Sequence, residues 1–236
     1  MKETTAKKKF MWNMAGSLCN SLSSMLLLII VNRISGESRG GFFALAYSTA
    51  QLLFSVGGFE IRPVQSTDIK NKFTFDQYFT SRMLNCIIML ICMIGYIVVN
   101  GYTGVEALTV FWILGYRMVE AVADVYSGLF QQRERIDISG KEMLMRSGIS
   151  TITFTIILWL TDNLLYAAMT LTLTSLVIML FYDLHMKKYF EPTPVHLEWR
   201  GILGIYNACW PLFVSSSIMN YLNKAPKYAI NTYYDE

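Results

Sequence analysis

The sequence predicts an all-α integral membrane protein of seven crossing helices with a cytoplasmic N-terminus. Three observations carry this. Of the 236 residues, 53% are hydrophobic and 16% charged, with mean hydropathy +0.37, whereas soluble proteins average about 25% charged. The apolar residues come in blocks. Phe10–Asn32, Gly40–Phe59, Met83–Val105, Asn163–Tyr182 and Gly201–Asn223 contain no Asp, Glu, Lys or Arg, and about 20 apolar residues suffice for a helix to cross the hydrocarbon. Finally, fifteen of the 20 Lys and Arg residues fall in alternate connections. They are Lys2, Lys7, Lys8 and Lys9; then Arg62, Lys70, Lys72 and Arg82; then Arg133, Arg135, Lys141 and Arg146; then Lys187, Lys188 and Arg200. The opposite connections hold only Arg33 and Arg39. Basic residues mark the cytoplasmic side, so the net charge of +3 reports topology and no nucleic-acid partner is expected.

In chain order, helix one is small and polar in its first half: Trp12, Asn13, Gly16, Ser17, Asn20, Ser21, Ser23 and Ser24. Such residues either let helices approach closely or line water. Its apolar stretch is too long for a cleaved signal peptide and no A-x-A-like site follows, so it is expected to stay as an anchor. Helix two carries Ser48, Thr49, Gln51 and Ser55, and ends in Gly57-Gly58, Glu60 and Arg62-Pro63, a bendable or broken terminus. Helix four, Ala107–Phe130, opens apolar and then carries Arg117, Glu120 and Asp124. Helix five, Ser147–Thr161, reaches spanning length if Met143–Arg146 form its interfacial end. Helix seven passes into Ser215-Ser216-Ser217, Asn220, Asn223, Lys224, Pro226 and Lys227. That end is either an outer interface where lysines snorkel or a kinked helix holding cations in a cavity.

The fourth helix concentrates the chemistry. Arg117, Glu120 and Asp124 are spaced by three and four residues, so they share one face. Charges facing lipid cost about 2.5–3.5 kcal/mol each, so this stripe faces the bundle interior or a wet cavity. It is either an Arg117–Glu120 pair that helps helices associate, or the lining of a substrate or ion pathway. Repulsion between Glu120 and Asp124 would favour protonating one of them. No enzyme signature accompanies the stripe: there is no G-x-S-x-G, phosphate-binding glycine loop or H-E-x-x-H. His185 and His196 flank the sixth connection as solvated side chains. Cys19, Cys86, Cys92 and Cys209 all lie within helices, without metal-ligand or redox spacing. Neither a metal nor a cofactor is expected.

Several stretches resemble the bacterial polysaccharide (O-antigen and capsule repeat-unit) flippases, of the superfamily that includes the MATE multidrug exporters. They are Trp12-Asn13-Met-Ala-Gly16-Ser17; Asn32-Arg33-Ile-Ser-Gly36 with Gly41-Phe-Phe-Ala-Leu-Ala46; and Ile61-Arg62-Pro-Val-Gln65-Ser-Thr-Asp68, with Tyr78 to Arg82 beyond. The most specific runs from Tyr116-Arg117-Met-Val-Glu120 through Asp124 and Gly128 to Gln131, then Arg133-Glu-Arg-Ile-Asp137 and Arg146. Lys224-Ala-Pro226-Lys227-Tyr228 resembles the family's seventh-helix signature. The resemblance implies two pseudo-symmetric six-helix bundles around a cavity that opens alternately to each side. This chain would supply a cytoplasmic basic tail (1–9), the N-terminal six-helix bundle (10–190), and a cytoplasmic linker with a seventh helix (191–236), the first helix of a truncated second bundle.

The implied substrate is an undecaprenyl-diphosphate-linked oligosaccharide, flipped outward across the bacterial cytoplasmic membrane for surface polysaccharide synthesis. Arg117 is the first candidate for the diphosphate, with Lys224, Lys227 and Arg33 behind it; Glu120 and Asp124 would orient Arg117 or couple an ion. A MATE-type cation-coupled drug antiporter is the alternative. The implied partners are the lipid-linked oligosaccharide, membrane lipids, a missing second lobe and polysaccharide-assembly proteins. Alone, the chain is expected to be inactive.

Overall fold

The computed structural model describes residues 5–190 and 199–234, with side chains as far as Met219. Its first element, α1 (Ala6–Gly58), is a hairpin of two helical arms, 6–35 and 37–58. Only Gly36 leaves helical geometry, at φ 84° and ψ 172°. Contacts across the tip prove the reversal. The Tyr47 hydroxyl donates to Ser24 Oγ at 3.0 Å, and a Cβ on Gly40 would stand 3.2 Å from the Cα of Asn32; in a straight helix these pairs would lie about six and about two turns apart. The shorter arm is about 33 Å long at 1.5 Å per residue, enough to cross the hydrocarbon. Because Gly36 occupies a region open essentially to glycine alone, Gly36→Ala should destabilise the protein by about 1–3 kcal/mol. There is open space around it for a methyl group, so the backbone alone carries that cost. Melting in detergent would show it against Gly41→Ala, also in open space; equal melting temperatures would refute it.

Short α2 (Ile61–Thr67) follows, then α3 (Phe75–Val99), α4 (Gly104–Gln132) and α5 (Ile136–Thr161). The next pass is α6 (Leu164–Ile178), which continues through a π-turn at Met179–Asp183 into α7 (Leu184–Lys187). The last is α8 (Trp199–Tyr234). Thr74 caps α3 with a reciprocal Thr74–Gln77 box, and the Asn163 side chain accepts from the Leu165 and Tyr166 amides at the start of α6. No strand occurs among the described residues.

Charge-rich α4 is the hub, packed by α1, α2, α3, α5 and α6. Among the described residues, five helices are long and apolar enough to cross a membrane: Ala6–Gly58, Phe75–Val99, Ile136–Thr161, Leu164–Lys187 and Trp199–Met219. The charges of α4 interrupt every apolar stretch of spanning length, and its neighbours shield them instead. Exposed hydrophobic stripes on the outer helices, such as Ile87, Ile91, Ile94 and Val98 or Ile149, Ile152, Ile156 and Leu160, recur at helical spacing and suit a hydrocarbon solvent. This is an all-α integral membrane protein.

The two ends of the bundle differ. At one end Arg39 bridges the hairpin tip to Asp162 at 3.1 Å, with Glu106 beside them. The other end gathers α2, the α4–α5 corner and α7, where Lys187 stands 3.8 Å from Asp76. Helix α8 runs parallel to α3: Gly201 meets Gln77, and Tyr206 donates to Asn85 Oδ1 at 2.9 Å.

Helix α1 begins at Ala6, so Lys7, Lys8 and Lys9 lie on its first turns. Two expectations need correction. Arg82 and Arg146 do not belong to the connections. The capping box starts α3 at Phe75, and Arg82 is 0% exposed inside it. Helix α5 starts at Ile136, which puts Arg146 deep in the helix at 2% exposure. The linker at 191–198 and His196 lie outside the described residues.

Candidate functional site

The α4 stripe divides into two separate networks. In the upper one, Arg117 pairs with Glu120 one turn away. It also donates to the Tyr47 hydroxyl at 2.7 Å and Ser24 Oγ at 3.4 Å, and lies over the Tyr47 ring at 4.7 Å. Glu120 accepts from Asn20 Nδ2 at 3.1 Å, and Arg146 Nη2 approaches it at 4.0 Å. Arg146 in turn donates to Glu142 at 2.6 Å. The hairpin brings Asn20, Ser24 and Tyr47 together because residues 24 and 47 face each other across the tip, and both arms then lie against α4.

The lower network centres on Asp124. Its two oxygens accept separately, from Arg62 Nη1 and Arg82 Nη2, each at 2.9 Å. Arg82 also donates to the Gly57 carbonyl at 2.9 Å, so it ties the end of α1 to α3 and α4. The chain turns there through two consecutive left-handed residues, Phe59 (φ 43°) and Glu60 (φ 52°). Left-handed non-glycine residues need support from their surroundings. Arg62 and Arg82 supply part of it, and Phe59 stacks on Phe213 of α8 with ring centroids 4.4 Å apart. Above the turn, Ser55, Glu60, Arg62 and Asp124 line a pocket of about 250 Å³. The bendable terminus expected after helix two is this braced elbow.

Glu120 and Asp124, expected to repel one another, each have arginine partners of their own. Arg33 is exposed near the hairpin tip, apart from both networks. The side chains of Lys224 and Lys227, on α8, lie outside the described residues. No group of three or more His, Cys, Asp or Glu suited to a metal ion occurs among the described residues.

The network residues missed from sequence are Tyr47, Arg82, Glu142 and Arg146. The capping box Thr74-Phe-Asp-Gln77 is a legible signal that would have moved Arg82 two turns inside a helix. Tyr47 carries no such signal, since its role depends on how the two arms pair.

The fate of the small residues in α1 splits by face. Gly16 and Ser23 are buried against α5, which is close packing. Ser17, Ser21, Ser48 and Gln51 are exposed, with Ser21 level with Gln51 across the hairpin. These polar positions are interleaved with exposed Met14, Leu18, Leu22, Leu45 and Leu52.

An integral membrane bundle with a buried charge network is the class that fold and site define. The family model described as "Polysaccharide biosynthesis protein" matches residues 6–236. The chain belongs to the polysaccharide biosynthesis protein family. Neither a curated protein nor a solved structure matches it.

Proposed function

We propose that this chain serves in a flippase that moves undecaprenyl-diphosphate-linked oligosaccharide repeat units across the bacterial cytoplasmic membrane by alternating access. It would act by transport and not by catalysis. The observation that carries this is the buried Arg117–Glu120–Tyr47–Ser24 cluster within a bundle whose outer helices are apolar, with Ser17, Ser21, Ser48 and Gln51 exposed on the α1 arms. Polar groups at membrane depth line water or substrate, and buried charge there is functional by default. Membership of a polysaccharide biosynthesis family supports a sugar-bearing substrate, and a lipid-linked form suits an integral membrane bundle.

The diphosphate would compete with Glu120 for Arg117, since arginine forks bind phosphate and carboxylate alike. Glu120 then holds Arg117 in place when substrate is absent. Lys224 and Lys227 of α8 are further candidate contacts, and Arg33 fits the role of interfacial anchor. A second bundle would close these polar positions into a cavity. The N-terminal end of the bundle would be cytoplasmic, supported by Arg62, Lys70, Lys72, Arg133 and Arg135 gathering at that end.

Arg117→Ala should lower polysaccharide export about 10- to 100-fold: hydrogen bonds to charged groups are worth about 1.5–3 kcal/mol, and each 1.4 kcal/mol is a factor of ten. Insertion should persist, because Asn20 and Arg146 still hold Glu120. Arg117→Lys should also fail, since lysine lacks the planar fork. Wild-type export by Arg117→Ala at equal membrane abundance would reduce the cluster to packing. Deleting the gene tests the reading as a whole. Loss of surface polysaccharide supports it; unchanged polysaccharide with loss of cationic-dye efflux would replace it with an antiporter.

A further inference from the structure

Asp183 has no part in either network. It closes the π-turn Met179–Asp183, a local form concentrated at functional positions. The residue is 1% exposed, and neither of its carboxyl oxygens has a hydrogen-bond partner. The charged groups acting on it are Glu142 and Arg146 of α5. Tyr126 of α4 and Tyr182 of the same turn stand beside it. Among the described residues no basic side chain donates a hydrogen bond to it. Arg146 is committed to Glu142 at 2.6 Å, with Glu120 at 4.0 Å; Lys187 turns to Asp76; and Arg135 is held by Asp137.

Its burial then points to an occupant. Glu142 and Arg146 both act on Asp183, and Arg146 already pairs with Glu142. An ionised Asp183 would hold its charge away from water with no hydrogen bond to either oxygen, a state that costs several kcal/mol and that proteins avoid by binding a proton.

We propose that Asp183 is a proton-binding site of the bundle. Its carboxyl is the neutral acid while α6 is packed against α4 and α5. When that seam opens to water, hydration stabilises the carboxylate and the proton passes to solvent. Closing the seam takes the proton back. Proton binding is thereby linked to the packing of α6 and its π-turn, a linkage that goes beyond the transport reading and does not depend on it.

Infrared spectroscopy of the full-length protein in lipid at neutral pH tests this. The wild type should show the carbonyl stretch of a protonated carboxylic acid in a dry environment, and aspartate isotopically labelled at its side-chain carboxyl should shift it. Asp183→Asn, which has the shape of the neutral acid, should remove the band. Glu142→Gln should also remove it, because Arg146 loses its nearest acid and lets Asp183 ionise against it. Replacing sodium with choline should leave the wild-type band unchanged.

The proposal is overturned if the wild type has no such band, if the aspartate label does not shift it, or if it survives in Asp183→Asn. A band that sodium abolishes would overturn it in favour of a metal cation. The isotope arm needs no variant, so poor folding of either substitution cannot mask the answer. The spectrum is read at rest, so its failure is separate from any failure of polysaccharide export.

Discussion

Asp124→Ala is expected to cost about 3–5 kcal/mol of stability, the range for leaving a buried charge without its partner. Arg82 is 0% exposed and has two acceptors for its guanidinium, Asp124 and the Gly57 carbonyl. Removing the carboxylate strands a cation in the bundle and loosens the elbow at Phe59 and Glu60 at the same time. Arg62→Ala should matter far less, because Arg62 is 28% exposed and leaves Arg82 to hold Asp124. The decisive variant is the double one. If the penalty is the orphaned charge, Asp124→Ala with Arg82→Met should recover most of the lost stability, as buried ion pairs replaced by apolar side chains often do. Thermal unfolding in detergent, followed by monodisperse elution, would measure all three. Melting of Asp124→Ala within about 1 kcal/mol of wild type would mean the triad behaves as a surface pair.

The second large effect is expected at Gly140. Helices α1 and α5 form the most extensive contact in the bundle, and they cross where Gly16 faces Gly140. A Cβ on Gly140 would lie 2.3 Å from the Trp12 carbonyl oxygen and 2.5 Å from the Asn13 nitrogen. A Cβ on Gly16 would lie 2.2 Å from the Gly140 carbonyl oxygen. These are backbone atoms, which cannot move aside as a flexible side chain can. Gly140→Ala should therefore force the helices apart, with loss near the upper end of the 1–3 kcal/mol that overpacking costs, and the separation would spread along Gly16, Cys19 and Ser23. Gly95→Ala, with nothing near its Cβ, is the control. The readout is the yield of folded protein from membranes and its melting temperature. Equal values for the two variants would show that the crossing relaxes without penalty.

Much of the fold was legible because the bilayer imposes a simple rule on length and polarity. The apolar blocks mark the passes, and the charge-poor runs Phe10–Asn32 and Gly40–Phe59 correspond to the two arms of α1. Their boundaries were less legible. The apolar run of α3 begins at Met83, while the helix begins at Phe75, because its first two turns are polar and buried by α4 and α8. The same shift misplaced Arg146, whose surroundings on α5 are polar in sequence but shielded in space. The α4 stripe was legible as a buried face, since Arg117, Glu120 and Asp124 recur at helical spacing. How its charges are shared was not. Glu120 and Asp124 look like repelling neighbours along the helix, yet their partners come from α1, α2, α3 and α5, separated by 42 to 100 residues for Arg82, Arg62 and Asn20. No local pattern encodes such pairings. Asp183 was invisible for the same reason: it reads as the polar end of helix six, and only packing against α5 reveals that it has no partner.

The most direct test of the account follows lipid-linked oligosaccharide across the membrane. Right-side-out vesicles from cells lacking the gene, and from cells carrying it as wild type or Arg117→Ala, would be treated with an impermeant sugar-oxidising reagent. The account predicts that repeat units remain shielded without the gene, become accessible with the wild-type gene, and stay shielded with Arg117→Ala at equal protein abundance. Full accessibility in the deletion strain would contradict it, because the repeat units would then reach the outer leaflet without this protein.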